Sequence, residues 1–197
     1  MKTNLSRIIP LALGAIAFTL TATASAQDTE TILHTFNGND GSAPFSFLLD
    51  PSGNMFGIAF GGGIPGCNTG TCGVVFELAS TSSGGWTDTT IHKFNGAGDG
   101  NFPLALVRDA SGNLYSATNF AGPFSTGTVI ELSPNSGGTW SETVLFDFPA
   151  TPDGAAPGSL LVDASGNLFG AAFAGGDKAS GGDGLIFQLT PPTSATK

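Results

Sequence analysis

The groups in this chain that could do chemistry are two histidines and a recurring set of carboxylates. Asp40, Asp99 and Asp153 each precede a glycine, and Asn37, Asn39 and Asn95 add side-chain oxygens beside the first two. Calcium takes hard oxygen ligands from tight loops, so these three aspartates are candidate calcium ligands. Asp-Gly is also common turn chemistry, and no full Asp-x-Asp-x-Asp loop occurs. Asp177 and Asp183, in the last glycine-rich stretch, form a second such candidate. His34 and His92 each stand two residues before a phenylalanine, Phe36 and Phe94, and Phe146 fills the matching place before Phe148. A place that accepts either His or Phe reads as packing. No Gly-x-Ser-x-Gly elbow occurs, and no Ser-His-Asp triad is supported. No catalytic residue is assigned, and calcium is the one cofactor considered.

Trp86 and Trp140 stand beside Gly-Gly pairs. Such rings either stack on sugars as ligand-binding residues or pack between neighbouring units. Phe60, Phe120 and Phe173, placed before long glycine-rich loops, read as core. The cysteines, Cys67 and Cys72, fall in a short insertion, Gly66-Cys67-Asn68-Thr69-Gly70-Thr71-Cys72-Gly73. After export they read as a local disulfide. A zinc or redox pair would need nearby ligands or Cys-x-x-Cys spacing, and neither is present.

The elements that position these groups come in a repeat. Asp50-Pro51-Ser52-Gly53-Asn54-Met55-Phe56-Gly57 matches Asp109-Ala110-Ser111-Gly112-Asn113-Leu114-Tyr115-Ser116 and Asp163-Ala164-Ser165-Gly166-Asn167-Leu168-Phe169-Gly170. The anchoring aspartates lie 59 and then 54 residues apart. Proline stands six residues before each anchor, as Pro44, Pro103 and Pro157. A fixed period of this size signals an array of supersecondary units. In the second copy the alternating, Thr-rich run 86–94 reads as a first strand, followed by strands at 103–108, 114–119 and 127–132. In the turns, Asp50 with Asn54, Asp109 with Asn113 and Asp163 with Asn167 are structural, each aspartate bonding its own turn backbone. The expected fold is all-β, a propeller-like array of three four-stranded antiparallel blades, with repeats at about 28–80, 86–134 and 140–190.

Together, the Phe-x-Gly, Asp-Gly, proline, Asp-x-x-Gly-Asn-Leu-Tyr/Phe-Gly, Gly-Gly loop and Val-Phe-x-Leu elements resemble the GloVer tandem repeat of exported "choice-of-anchor" bacterial proteins. The likeness runs over roughly 28–190. It implies a secreted or surface-attached, propeller-like protein and brings no catalytic residues. Such proteins often carry more than three repeats, and 191–197 has the look of a plain C-terminal tail without a sorting signal.

Residues 1–26 read as a signal peptide. Lys2 and Arg7 precede an apolar run, 8–20, too short for a membrane span, and Ala24-Ser25-Ala26 has the form of a cleavage site. The expected mature chain, from Gln27, is extracellular, periplasmic or at the cell surface, with no membrane span. It keeps all 15 acidic residues and only Lys93, Arg108, Lys178 and Lys197 as bases. That balance disfavours nucleic acid and anionic membranes as partners. Closed propellers need four or more blades. Three units therefore suggest a homodimer closing a six-bladed ring, a compact monomer, or further repeats in a longer gene. The leading functional expectation is a non-catalytic scaffold that binds carbohydrate or another surface polymer through loops 61–73, 121–127 and 174–184. Alternatives are an extracellular hydrolase or lyase and a structural envelope component.

Overall fold

The computed structural model describes residues 28–65, 71–149, 154–176 and 182–191. Chain contacts separate Met1–Thr31 from Ile32–Lys197. In the first unit only residues 28–31 are described, and they are irregular. The second unit is all β among its described residues, with eleven strands in three antiparallel sheets. The first sheet holds β1 (Ser42–Leu49), β2 (Met55–Gly61), β3 (Val74–Ser80) and β4 (Trp86–Lys93) in that order. The second holds β5 (Asn101–Arg108), β6 (Leu114–Phe120), β7 (Thr128–Pro134) and β8 (Trp140–Asp147). The third holds β9 (Ala155–Val162), β10 (Leu168–Ala174) and β11 (Leu185–Leu189).

Each sheet is a meander of sequential hairpins, and the Asp-x-x-Gly-Asn turn makes the first one. In the second copy Asp109 Oδ1 accepts from the Ser111 N–H at 2.8 Å and the Asn113 N–H at 2.9 Å. Gly112 holds a φ of 95°, where a side chain would be strained. Asp50 and Asp163 accept the matching bonds from Ser52, Asn54, Ser165 and Asn167.

Before every repeat proline the chain makes a less ordinary move. Ala43, Phe102 and Ala156 have φ of 52°, 56° and 55°. Non-glycine residues rarely adopt that left-handed region, and a following proline disfavours helical geometry there as well. A register shift follows in all three hairpins, at Pro44/Ser46, Pro103/Ala105 and beside Pro157. A bulge of this kind bends the strand and re-aims the side chains around it.

The pairing unit is displaced by one strand from the expected repeats. The run beginning at Trp86 closes the first sheet as its outer strand, and the run at Trp140 closes the second. The sheets therefore span 42–93, 101–147 and 155–189. The matching run before Phe36 forms no strand, and the third sheet has three strands with β11 at its edge.

The sheets bury their faces against one another in sequence. β5 packs on β1 and β2, and β9 packs on β5 and β6. Between the first two sheets lie Phe56, Ile58, Val75 and Phe94 against Leu106, Leu114, Ile130 and Leu132. Between the second and third lie Tyr115, Ala117, Val129 and Phe148 against Leu160, Leu168 and Ala172. Two of the aromatics expected in the core, Phe120 and Phe173, are exposed near the loop ends of β6 and β10.

Candidate functional site

The loops carrying the charged and aromatic groups gather at one end of the strands, opposite the Asp-x-x-Gly-Asn turns. The loop at 37–41 lies against the loop after β2, where the Gly63 N–H donates to Gly38 O at 2.9 Å. A Cβ on Gly62 would stand 2.6 Å from Gly41, so this approach needs glycine on both sides. The Phe102 N–H donates to Cys72 O at 2.9 Å and ties the next loop to the same end.

Here Asp40 and Asp99, two of the candidate calcium ligands, have close side-chain neighbours. Each is paired to a histidine. His34 Nε2 lies 3.2 Å from Asp40 Oδ2, and Asp40 also accepts from the Asn37 N–H and side-chain amide, both at 2.9 Å. His92 Nε2 lies 3.0 Å from Asp99 Oδ2, and Asp99 is only 1% exposed. Each imidazole also stacks edge-on against its phenylalanine, Phe36 or Phe94. Each ring packs as the sequence suggested and also carries a carboxylate within hydrogen-bond distance. A second carboxylate completes each group from the outer strand. His34, Asp40 and Asp88 offer ligand atoms within 4.8 Å of one another, as do His92, Asp99 and Glu142. Asp88 and Glu142 hold equivalent places, two residues after Trp86 and Trp140.

The electrostatics of the two groups agree. Burial pushes the Asp88 carboxyl above the usual aspartate range; His34 opposes that and Asp40 adds to it. Burial likewise raises Glu142, against His92 and with Asp99. One imidazole nitrogen and two carboxylate oxygens could hold a divalent cation. That donor set suits a transition ion better than calcium, which takes oxygen ligands. As a general base His92 is poorly placed, because Nε2 faces Asp99 and Nδ1 lies 3.9 Å from Glu142. Asp153, Asp177 and Cys67 lie outside the described residues. Asp183 is exposed beside Gly175, and Cys72 is fully buried.

At the same end of the strands lies a row of aromatic rings. Phe60 stacks on Phe102 with centroids 4.5 Å apart and planes 11° apart. Phe120 meets Phe102 edge-on at 6.3 Å. Phe120 is 50% exposed, and Phe124 on the following loop is exposed too. The left-handed backbone at Phe102 presents its ring to Phe60 across the joint between the first two sheets. Sequence reasoning missed this row because Phe102 has alanine at the equivalent places, Ala43 and Ala156. The tryptophans lie elsewhere. Trp140 packs edge-on over Phe56 at 6.1 Å, and Trp86, with Met55, packs against the cluster of Ala59, Val74, Phe76 and Leu78, both tryptophans half-buried.

No curated protein matches this chain. Among solved structures, the chain is similar to a crystal structure of a protein of unknown function from Dyadobacter fermentans DSM 18053. That likeness has 14% identity and a TM-score of 0.48, and it covers 83% of this chain and 55% of that one. The chain thus spans little more than half the length of that protein. The family model of the Gloeobacter/Verrucomicrobia repeat matches residues 13–197. The repeat turns, the meandering sheets and this match together make the chain a member of the Gloeobacter/Verrucomicrobia repeat family.

Proposed function

We propose that this protein is an exported, non-catalytic repeat scaffold with propeller-like blades, and that its loop end binds a carbohydrate or another extracellular polymer. The observation carrying this reading is the row Phe60, Phe102 and Phe120. Phe120 and Phe124 are exposed, and Phe60 and Phe102 stack half-buried beside Phe120; apolar rings left open at a sheet end are a candidate interaction surface. Planar apolar rings flanked by hydrogen-bonding groups suit the apolar face and hydroxyls of a sugar ring. Asp40 and Asn37 stand at the same loop end, on the loop that meets Gly63. Export is supported by the charged, apolar and small-residue segments within 1–26. The blade reading is supported by sequential meanders of four, four and three strands and by β1, β5 and β9 packing one after another. A polymer repeating the same unit would gain from more than one weak contact.

The test is retention on immobilised polysaccharides, with product analysis in the same samples. Phe102→Ala and Phe120→Ala should abolish retention. Alanine already occupies the Phe102 position in the other two copies, so that change leaves the backbone at home. Sugar release from any member of the panel would overturn the non-catalytic reading.

A further inference from the structure

The repeat shows what each end of the array lacks. Leu106 and Leu160, on the first strands of the second and third sheets, are 7% and 6% exposed because the preceding sheet covers them. Their equivalent on β1, Phe47, is 67% exposed. At the other end, Val75 and Val129 are fully buried under the following sheet, whereas their equivalent on β11, Ile186, is 79% exposed. One end of the array therefore carries an uncovered leading face, and the other an uncovered trailing face. Inside the chain these two kinds of face already join twice.

A second asymmetry falls in the same place. Phe94 follows β4 and packs into the next sheet beside Ile130, and Phe148 follows β8 and packs on Phe187 at 5.1 Å. Phe36 holds the same relation to the first sheet, packing on Phe76 at 5.0 Å. The residues before Phe36 thus stand where a preceding sheet's outer strand would end. They form no strand here, and Ile32 is 76% exposed. Among the described residues the third sheet has no outer strand, and a cavity of about 340 Å³ lined by Tyr115, Leu145, Phe146, Gln188 and Leu189 adjoins β11.

We propose that the chain associates head to tail with a second copy, residues 32–36 of one copy adding as the fourth strand beside β11 of the other while the β1 face covers Ile186. Strand addition supplies main-chain hydrogen bonds to an open edge. The register follows from the complete sheets. His92 faces Val75 and Phe146 faces Val129, so His34 should face Ile186. Thr90 faces Phe76 and Val144 faces Ile130, so Ile32 should face Phe187. The association is heterologous, and a closed ring or an open chain of copies uses the same joint.

Light scattering across a concentration series on the full chain, expressed for export, tests this. Mass should rise with concentration. Ile32→Pro, which spoils the donor segment, and Ile186→Glu, which spoils the acceptor, should each hold the protein monomeric. Ile32 and Ile186 are both exposed, so neither change threatens the fold. Mixed, the two variants should form a one-to-one dimer that grows no further, since each keeps one working end. A monomer at every concentration, association that either variant leaves intact, or a mixture that stays monomeric would overturn the proposal. Glycan retention by the monomeric variants would leave the binding reading standing whatever the result here.

Discussion

Gly57 and Phe76 face each other across β2 and β3 so closely that a Cβ on Gly57 would lie 2.3 Å from the ring's Cζ. Gly170 and Phe187 repeat the relationship in the third sheet, also at 2.3 Å. The second sheet solves it differently, with Ser116 opposite Ile130. Gly57→Ser alone should therefore destabilise by about 1–3 kcal/mol through overpacking. Gly57→Ser with Phe76→Ile should recover part of that loss, because the pair reproduces the second sheet. A double-mutant cycle by chemical denaturation checks this, and simple additivity would contradict it.

The carboxylates divide by environment, which sets the pH dependence. Burial pushes the Asp109 carboxyl up, but hydrogen bonds from Asn113, Tyr115 and Ser111 outweigh it and hold it below the aspartate range. Asp163, bonded by Asn167, is lowered as well. A lowered carboxylate stabilises the fold above its ordinary value, and that contribution disappears as pH falls through its folded value. Burial raises Glu77, Asp88, Glu142 and Asp147, and their charged forms weaken the fold at neutral pH. Stability should rise as pH falls from neutral toward 4.5, the ordinary glutamate value, and fall below 3.8, the ordinary aspartate value. Thermal melts across this range read it out, and Asp109→Asn should flatten the acid limb.

Asp99 is almost wholly buried against His92, with the Asn95 N–H 3.2 Å from its carboxylate. Asp99→Ala leaves these donors without their acceptor and should cost about 1–3 kcal/mol. Asp40→Ala, at a more open position, should cost less. Equal losses in urea denaturation would count against the burial argument.

Much of this was legible in the residues. The spacing of Asp50, Asp109 and Asp163 announced three equivalent hairpins, and the alternation from Trp86 and Trp140 announced strands. Where each sheet is cut was not legible. A repeat has a period but no phase, and only hydrogen bonding decides that Trp86 closes one sheet rather than opens the next. The histidine groups were hidden for a different reason. His92 and Glu142 are 50 residues apart and meet only when the outer strand folds back. All three copies keep an Asp-Gly a few residues later, so that pair did not single out the copies with a histidine. The row at Phe102 was obscured because its backbone geometry repeats while its side chain does not.

A bond between Cys67 and Cys72 would close a loop of six residues and stabilise the fold by about 2 kcal/mol on the chain-entropy estimate. Non-reduced peptide mapping should recover the two cysteines in one linked fragment. Cys72→Ser should lower the midpoint of unfolding to the extent that reduction lowers it in the unaltered protein. Two separately alkylated cysteines in protein produced in an oxidising compartment would contradict the pairing.

The binding reading is tested most directly by affinity electrophoresis of the purified chain through gels carrying single polysaccharides, with the gel products analysed for released sugar. The account predicts retardation by at least one polysaccharide, no sugar release, and normal mobility for Phe102→Ala. Retardation that survives Phe102→Ala, no retardation by any polymer, or release of sugar would contradict it.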